Sequence, residues 1–260
     1  MKIYLAYSKN YHDILKEEKA KLIISYGRKH GTSGEPTLPD GFDEYLIDSG
    51  GFQLAMGTNE RDIYLGAYCL WLELLVRKYG DKIKGYMALD TKDPSETLSN
   101  LREMREYGLN PIAIWHDGWP EDALEYICST CDYIAIGGLV GSGFKSKGYY
   151  RKLFERITQK YPEIKIHMLG IGIIGTHAFK SFRPYSVDFS TWTVPARFGH
   201  DLVYDKKQIL KEVKLPAEVR QRLRDDNDYE NELIRRAIRS VISLETKLEE
   251  LDEPYQQSLF

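Results

Sequence analysis

Short apolar runs alternate with longer amphipathic stretches along most of the chain. The short runs cover residues 3–7, 44–47, 83–89, 111–115, 133–136, 164–169 and 185–189, and each predicts a buried strand. The stretches between them carry helical spacing, most clearly at residues 10–29 and 59–79. Repeated alternation of strands and helices with short connections predicts a parallel sheet with helices packed outside it.

The length of 260 residues suits one large domain or two small ones, and for a single domain this length favours a barrel. No Gly-x-Gly-x-x-Gly motif follows the first strand, which disfavours a Rossmann fold. We therefore expect an α/β fold in which residues 1–204 form a (β/α)8 TIM-like barrel with one irregular unit. Residues 205–260 are expected to form a C-terminal helical extension packed on the barrel, because residues 227–251 carry an apolar stripe of helical period. The same stripe would fit a second subunit, so a homodimer stays open.

The net charge of -3 gives the chain no overall attraction for nucleic acid, so local basic patches would have to supply it. Candidate phosphate contacts are Lys145, Lys147, Arg197, Lys206 and Lys207. A solvated helix face explains such residues equally well. No apolar run approaches the roughly 20 residues of a membrane span, and the N-terminus lacks the layout of a signal peptide. These features predict an intracellular, cytoplasmic protein with no membrane partner.

The three cysteines fit a reducing compartment. Cys128 and Cys131 form a CxxC pair, but neither a second pair nor a His-x-x-x-His follows it. We interpret both as buried small hydrophobic residues. The sequence therefore predicts no metal site and no cofactor.

Polar residues and glycines follow six of the predicted strands at the point where each strand ends. In a barrel, catalytic groups collect at these carboxyl ends. The set comprises Asp48 to Gln53, Asp90, His116, Gly137 to Leu139, Gly170 and Asp188. A helix cap, a tight turn or a structural histidine explains any one of them, but none of these explains the same placement at six strand ends.

These residue types share one chemical logic. Two carboxylates can divide the cleavage of a glycosidic bond, one as nucleophile and one as proton donor and acceptor. Paired glycines let a flat ligand approach the backbone and leave amide N–H groups free to bind a carbonyl oxygen. Phe52 offers an aromatic face for a base. A further ionised Asp can accept two hydrogen bonds from an amidine edge such as that of guanine.

The ordered motifs resemble the tRNA-guanine transglycosylase superfamily. The most specific is Asp48-Ser49-Gly50-Gly51-Phe52-Gln53, and Asp90, Gly137-Gly138-Leu139 and Leu169-Gly170-Ile171-Gly172 follow it in the order of that family. The resemblance covers residues 48–199 and implies a role for each acid. Asp188 would attack C1′ of the target guanosine and form a covalent glycosyl-enzyme, Asp48 would transfer protons, and Asp90 would read the guanine edge.

The resemblance also implies a base-binding set around these acids. That set is Ser49, Gly50, Phe52, Gln53, His116, Gly137, Gly138, Leu139, Leu169 and Gly170. Phe52 and Leu169 would sandwich the ring, and the Gly138 amide would meet the base carbonyl. His116 stands where the tRNA enzymes carry a glutamine.

Two departures from the family bear on the substrate. No cysteine follows Cys131, so the zinc site of the tRNA enzymes is missing, and the segment between Asp188 and Pro195-Ala196-Arg197 is longer than in that family. A compact form without zinc resembles the DNA-guanine transglycosylases of phages and bacteria, which insert 7-deazaguanine derivatives into DNA. This branch implies DNA as partner in preference to tRNA, a 7-deazaguanine base as small-molecule substrate, and the host cytoplasm for a phage-encoded enzyme. The target base would have to leave the duplex stack.

Three alternatives stay open. The first is a tRNA-guanine transglycosylase that has lost zinc. The second is a catalytically silent barrel that serves as a partner subunit or nucleic-acid-binding module, although the retained Asp48, Asp90 and Asp188 argue against silence. The third is an unrelated barrel glycosidase or base-releasing hydrolase with the same pair of carboxylates.

Overall fold

A parallel sheet of eight strands forms the centre of the protein. The structure is a computed structural model that describes residues 1–26, 36–51, 65–138, 147–170, 179, 182–206 and 209–250. The strands are β1 (Lys2–Ala6), β2 (Lys21–Ser25), β3 (Tyr45–Asp48), β4 (Ile83–Tyr86), β5 (Ala113–His116), β6 (Tyr133–Gly137), β7 (Lys165–Met168) and β8 (Ser186–Phe189).

The spatial order of the strands is β4-β3-β2-β1-β8-β7-β6-β5, and every pairing in this sheet is parallel. The two edge strands approach each other through an isolated parallel bridge between Met87 and Ile112. There Ile112 N donates to Tyr86 O at 2.8 Å and Ala88 N donates to Ile112 O at 2.9 Å. The sheet is therefore curled and compatible with a TIM-like barrel, although β4 and β5 do not close it with a full strand ladder.

Both faces of the sheet are buried, which explains the continuous apolar runs in the sequence. One face carries a compact inner cluster whose buried members are Tyr4, Ile23, Leu46, Met87, Ile112, Ile114 and Ala135. The alternate residues of the same strands, such as Ile3, Leu5 and Ile47, belong to a larger core that includes the helices. Side chains that alternate along a strand thus divide between the two faces.

The helices in the described part of the chain are α1 (His12–Glu17), α2 (Leu65–Tyr79), α3 (Pro94–Glu106), α4 (Glu121–Thr130), α5 (Lys147–Lys160), α6 (Val194–Phe198), α7 (Ala217–Asp225) and α8 (Asn227–Glu250). The start of α3 follows the local sequence, because the Asp93 side chain accepts a hydrogen bond from Ser95 N at 2.7 Å. Pro94 fills its first turn. None of the helices that the structure describes is both long and apolar enough to cross a bilayer.

The long helix α8 packs on α1, β1 and α6. Its apolar stripe is buried through Ala237, Ile238, Val241 and Leu244. Near its end, Glu245 accepts a hydrogen bond from Lys21 Nζ at 2.6 Å and another from Ile3 N. This helix therefore joins the outer layer beside the first strand.

Two expectations from the sequence were wrong. Helix α1 ends at Glu17, and residues 21–25, which we expected within a helix over 10–29, form β2 between β1 and β3. Leu22, Ile23 and Ile24 are buried on alternate faces, and an apolar run of this kind does not distinguish a buried strand from a helix. Residues 210–214, expected to be helical, form β10 (Leu210–Lys214) in an antiparallel hairpin with β9 (His200–Tyr204).

Candidate active site

The carboxyl ends of the strands, which we call the mouth, bring together the acids that the sequence singled out. Asp48 is the last residue of β3, His116 the last of β5, and Asp188 the third of four residues in β8. Asp90 follows β4 by four residues. Asp90 and Asp188 both act electrostatically on Asp48, which means that their carboxylates lie close to it.

The carboxyl group of Asp48 is buried among the acids of the mouth. Burial, followed by the negative charges of Asp90 and Asp188, raises its pKa from the ordinary 3.8 to about 7, against an opposing effect of Ser25. The residue as a whole keeps some contact with solvent, so protein atoms surround the carboxyl group without sealing it. The Ser25 hydroxyl is buried beside it and forms no regular hydrogen bond with a described residue. A carboxyl group with this pKa can both give and take a proton near neutral pH.

Asp90 is held from both sides. Ser49 Oγ donates to its Oδ1 at 2.9 Å, and His116 Nε2 lies 2.8 Å from its Oδ2. Its side chain is 8 % exposed, whereas that of His116 is 24 % exposed and reaches the mouth. Each Asp90 oxygen keeps a second lone pair, so the carboxylate can still accept hydrogen bonds from a ligand.

Asp188 is oriented by backbone and side chain together. Gly170 N donates to its Oδ1 at 2.7 Å, and His167 Nε2 lies 3.3 Å from the same oxygen. The Asp188 side chain is 15 % exposed, and His167 is fully buried. Asp48 on β3 and Asp188 on β8 are separated by β2 and β1, and their surroundings differ. Asp48 lies near other negative charges, whereas Asp188 accepts hydrogen bonds from its neighbours.

Glycine is required at several positions around these acids. Gly138 has a φ of +74° and Gly170 a φ of +59°, in the left-handed region that side chains disfavour. A Cβ atom on Gly137 would lie 2.7 Å from His116 Nδ1, so the imidazole rests on bare backbone. The glycines therefore give the mouth a flat backbone wall beside His116.

Several residues expected at the site lie outside the described part of the chain. These are Phe52, Gln53, Leu139, Lys145 and Lys207. Lys147 begins α5, but its side chain is not described. Of the expected residues that are described, Leu169 packs against the inner cluster, and Arg197 and Lys206 are exposed.

His167 was missed by the sequence interpretation. It lies within β7, two residues before Leu169 and therefore on the same inner face of the sheet. Its Nδ1 lies 2.7 Å from Ser186 Oγ. The signal was available, because a histidine inside a strand buried on both faces needs partners. Its partners come from other strands, and the sequence alone does not show that these strands are adjacent.

The cysteines take no part in the mouth. Cys128 is buried, and burial raises the pKa of its thiol to about 12. Cys131 is half-buried, and Arg105 Nη2 lies 2.8 Å from its Sγ. Within the described ranges, no three His, Cys, Asp or Glu side chains are grouped as metal ligands would be.

The sequence matches no protein-family model, and no curated protein matches it.

Proposed function

We propose that the protein is a guanine transglycosylase, which exchanges a guanine base in DNA for a 7-deazaguanine derivative through a covalent glycosyl-enzyme. The observation that carries the proposal is the placement of Asp48, Asp90 and Asp188 at one mouth in three different environments. Carboxyl groups whose surroundings differ in this way can take different roles in one reaction.

In the first half-reaction, an Asp188 oxygen attacks C1′ of the target nucleoside. The C1′–N9 bond breaks, its electron pair goes to the departing guanine, and Asp48 supplies the proton that neutralises this base. The pKa of Asp48, raised to about 7, supports this role because a part of the molecules carries the proton at neutral pH.

In the second half-reaction, the incoming base gives its N9 proton to Asp48 and attacks C1′. The bond between C1′ and the Asp188 oxygen breaks, and the carboxylate is regenerated. Asp48 ends with the proton that it gave up in the first step, so the exchange needs no oxidant, reductant or external acid.

Asp90 would recognise the base. A carboxylate that keeps free lone pairs can accept hydrogen bonds from the N1–H and exocyclic amine of guanine. The low exposure of Asp90 and its two fixed partners support recognition, because a preorganised group loses little freedom when a ligand binds. An amidine edge beside flat glycine backbone fits a purine better than a sugar polymer.

The choice of DNA rests on the sequence. The chain has no cysteine after Cys131 with which to build the zinc site of the tRNA enzymes. The target base would leave the duplex to reach Asp90. Arg197 is exposed and could hold a phosphate beside it. Lys206 is also exposed, but it follows Tyr204, which packs on Ser240 of α8 toward the opposite end of the sheet, so it does not belong to this surface.

The test is incorporation of a labelled base. The protein is incubated with labelled guanine or a labelled 7-deazaguanine and with duplex DNA or tRNA, and the label in the polymer is followed. We expect labelled DNA, and we expect Asp188→Asn to abolish labelling and to prevent a covalent DNA adduct. The matched control is Asp43→Asn, since Asp43 lies before β3 at the opposite end of the sheet with its side chain 98 % exposed.

Each other result assigns a different function. Label in tRNA alone would make the protein a tRNA enzyme without zinc. Release of free guanine without incorporation would make it a hydrolase. Absence of any exchange or release with both polymers would overturn the proposal, and full activity of Asp188→Asn would show that Asp188 is not the nucleophile.

A further inference from the structure

A chain of hydrogen bonds runs through the interior of the sheet behind Asp188. Tyr133 Oη lies 2.6 Å from Ser186 Oγ, and Ser186 Oγ lies 2.7 Å from His167 Nδ1. His167 Nε2 lies 3.3 Å from Asp188 Oδ1. These residues come from β6, β7 and β8, and Ser186 and His167 are fully buried. The chain therefore runs from Tyr133, half-buried at the start of β6, through two fully buried residues to Asp188 at the mouth.

With the His167 imidazole neutral, the donors and acceptors of this chain fit one arrangement of protons that also places a donor toward Asp188. Burial raises the pKa of Tyr133, so the phenol keeps its proton and donates to Ser186. Ser186 has one proton, and His167 Nδ1 is the acceptor that remains for it. A neutral imidazole that accepts at Nδ1 carries its proton at Nε2 and donates it toward Asp188.

Both donors at Asp188 meet the same oxygen. Gly170 N and His167 Nε2 both approach Oδ1, at 2.7 Å and 3.3 Å. Within the described residues, Oδ2 accepts no hydrogen bond, and it is not among the buried polar atoms that lack a partner. Oδ2 is therefore the carboxylate oxygen open to the mouth.

We propose that His167 is a positioning residue that, with the Gly170 amide, fixes Asp188 Oδ1 and presents Oδ2 as the attacking atom. The inference rests on the proposed function, in which Asp188 is the nucleophile. The 3.3 Å separation is long for a hydrogen bond. Hydrogen bonds of reacting groups are often long before substrate binds and shorten in the reacting complex. Ser186 and Tyr133 set the tautomer and thereby decide which imidazole nitrogen faces Asp188.

The role predicts a separation of catalytic rate from substrate affinity. In His167→Phe, Asp188 keeps the Gly170 amide but can rotate, so we expect kcat for exchange to fall about 100-fold while KM for the base changes by less than about threefold. His167→Gln places an amide donor near the position of Nε2 and should restore at least about a tenth of the wild-type rate. Ser186→Ala should lower kcat about tenfold, since Nδ1 loses its donor and the tautomer is no longer fixed.

The experiment measures the rate of glycosyl-enzyme formation in a single turnover, for wild type and the three variants, with a thermal melt of each. The control is His200→Gln, because His200 lies in the β9–β10 hairpin beside Glu212 and outside the mouth. Nitrogen NMR of the wild-type protein tests the tautomer directly, with the proton expected on Nε2 of His167.

The outcomes separate the two proposals. If wild type forms no adduct and exchanges no base, the proposed function fails, and the role of His167 falls with it. If wild type is active and folded His167→Phe matches it, the inference alone fails. Should His167→Phe fail to fold, Ser186→Ala and His167→Gln decide: a wild-type rate in Ser186→Ala, or a proton on Nδ1 in wild type, overturns the inference.

Discussion

Gly51 lies directly against Asp90. A Cβ atom on Gly51 would fall 2.0 Å from Asp90 Oδ1 and 2.4 Å from the Asp90 carbonyl oxygen. Asp90 has little room to retreat, because Ser49 and His116 hold its two carboxylate oxygens. Glycine is thus required at position 51 because a side chain there would overlap Asp90.

This contact predicts that Gly51→Ala displaces Asp90. We expect the free energy of unfolding to fall by about 2 kcal/mol, the cost of inserting a methyl group into a packed site. Base exchange should fall at least about tenfold, because a shift of the recognising carboxylate weakens transition-state binding. Chemical denaturation and steady-state exchange measure the two effects.

Gly66→Ala is the matched control. Gly66 is an exposed residue of α2, where a Cβ atom would lie 3.7 Å from the Tyr107 hydroxyl and within 4 Å of no other described residue outside its own helix turn. Alanine favours a helix over glycine by up to about 1 kcal/mol. We expect this variant to be as stable as wild type or slightly more stable, with unchanged exchange. Equal behaviour of the two variants would contradict the role given to the Gly51 contact.

The raised pKa of Asp48 makes stability depend on pH. Since the pKa is about 7 in the folded protein and 3.8 ordinarily, the folded chain holds a proton between these values that the unfolded chain has lost. The ionised Asp48 carboxylate therefore destabilises the folded protein most above pH 7. This destabilisation diminishes as the pH falls and disappears below the ordinary pKa of 3.8. Asp48→Asn removes the charge and should stabilise the protein at about pH 8, by roughly 2 kcal/mol once solvent in the open mouth is considered.

Urea denaturation across a pH series measures this difference. The gain of Asp48→Asn over wild type should shrink steadily as the pH falls from about 7 to about 4. Asp43→Asn, at an exposed position, should run parallel to wild type throughout. A gain for Asp48→Asn that is independent of pH would mean that the carboxyl group titrates normally.

A third prediction concerns Glu245, which joins α8 to the first strands. Its carboxylate accepts from Ile3 N and from Lys21 Nζ, the latter at 2.6 Å. Glu245→Ala leaves the Ile3 amide without this partner, and we expect the free energy of unfolding to fall by about 2 kcal/mol.

Arg239→Ala on the same helix is the control. The Arg239 side chain is 59 % exposed, and its partner Glu18 still has an ion pair with Arg235 when Arg239 is removed. The free energy of unfolding should therefore fall by at most about 0.5 kcal/mol. Similar losses in both variants would show that Glu245 contributes no more than a surface charge.

The strand ends of the mouth could be predicted because their chemistry is local. Asp48, His116 and Gly137 each follow an apolar run, and parallel strands place their carboxyl ends at one edge. The cap of α3 is local in the same sense, since Asp93 and Ser95 are neighbours in the chain. In each case the relevant partner lies within a few residues or follows from the order of the strands.

The remaining features depend on contacts between distant segments. Strand β2 was predicted as helix because Leu22 to Ile24 are apolar on both faces, and only pairing with β1 and β3 selects the extended form. The role of His167 depends on its contacts with Ser186 and Asp188, which lie 19 and 21 residues later in the chain. The raised pKa of Asp48 likewise arises from burial and from the charges of Asp90 and Asp188, and both causes depend on segments that are distant in the sequence.

A last prediction concerns Arg197 and follows from the proposed function. The short 3₁₀ turn Thr191–Thr193 leads from β8 into α6, and Trp192 Nε1 donates to Ala6 O at the end of β1, which places this segment at the mouth. Arg197 is exposed in α6.

If Arg197 contacts a phosphate of the bound duplex, Arg197→Ala weakens binding several-fold for all sequences alike. The slope of the logarithm of affinity against the logarithm of salt concentration then becomes shallower by about 0.9. Fluorescence anisotropy with a labelled duplex at several salt concentrations measures both. Arg77→Ala is the control, because Arg77 lies at the end of α2 just before β4 begins and pairs with Glu73. An unchanged slope for Arg197→Ala would place the phosphate contacts on other residues of the mouth.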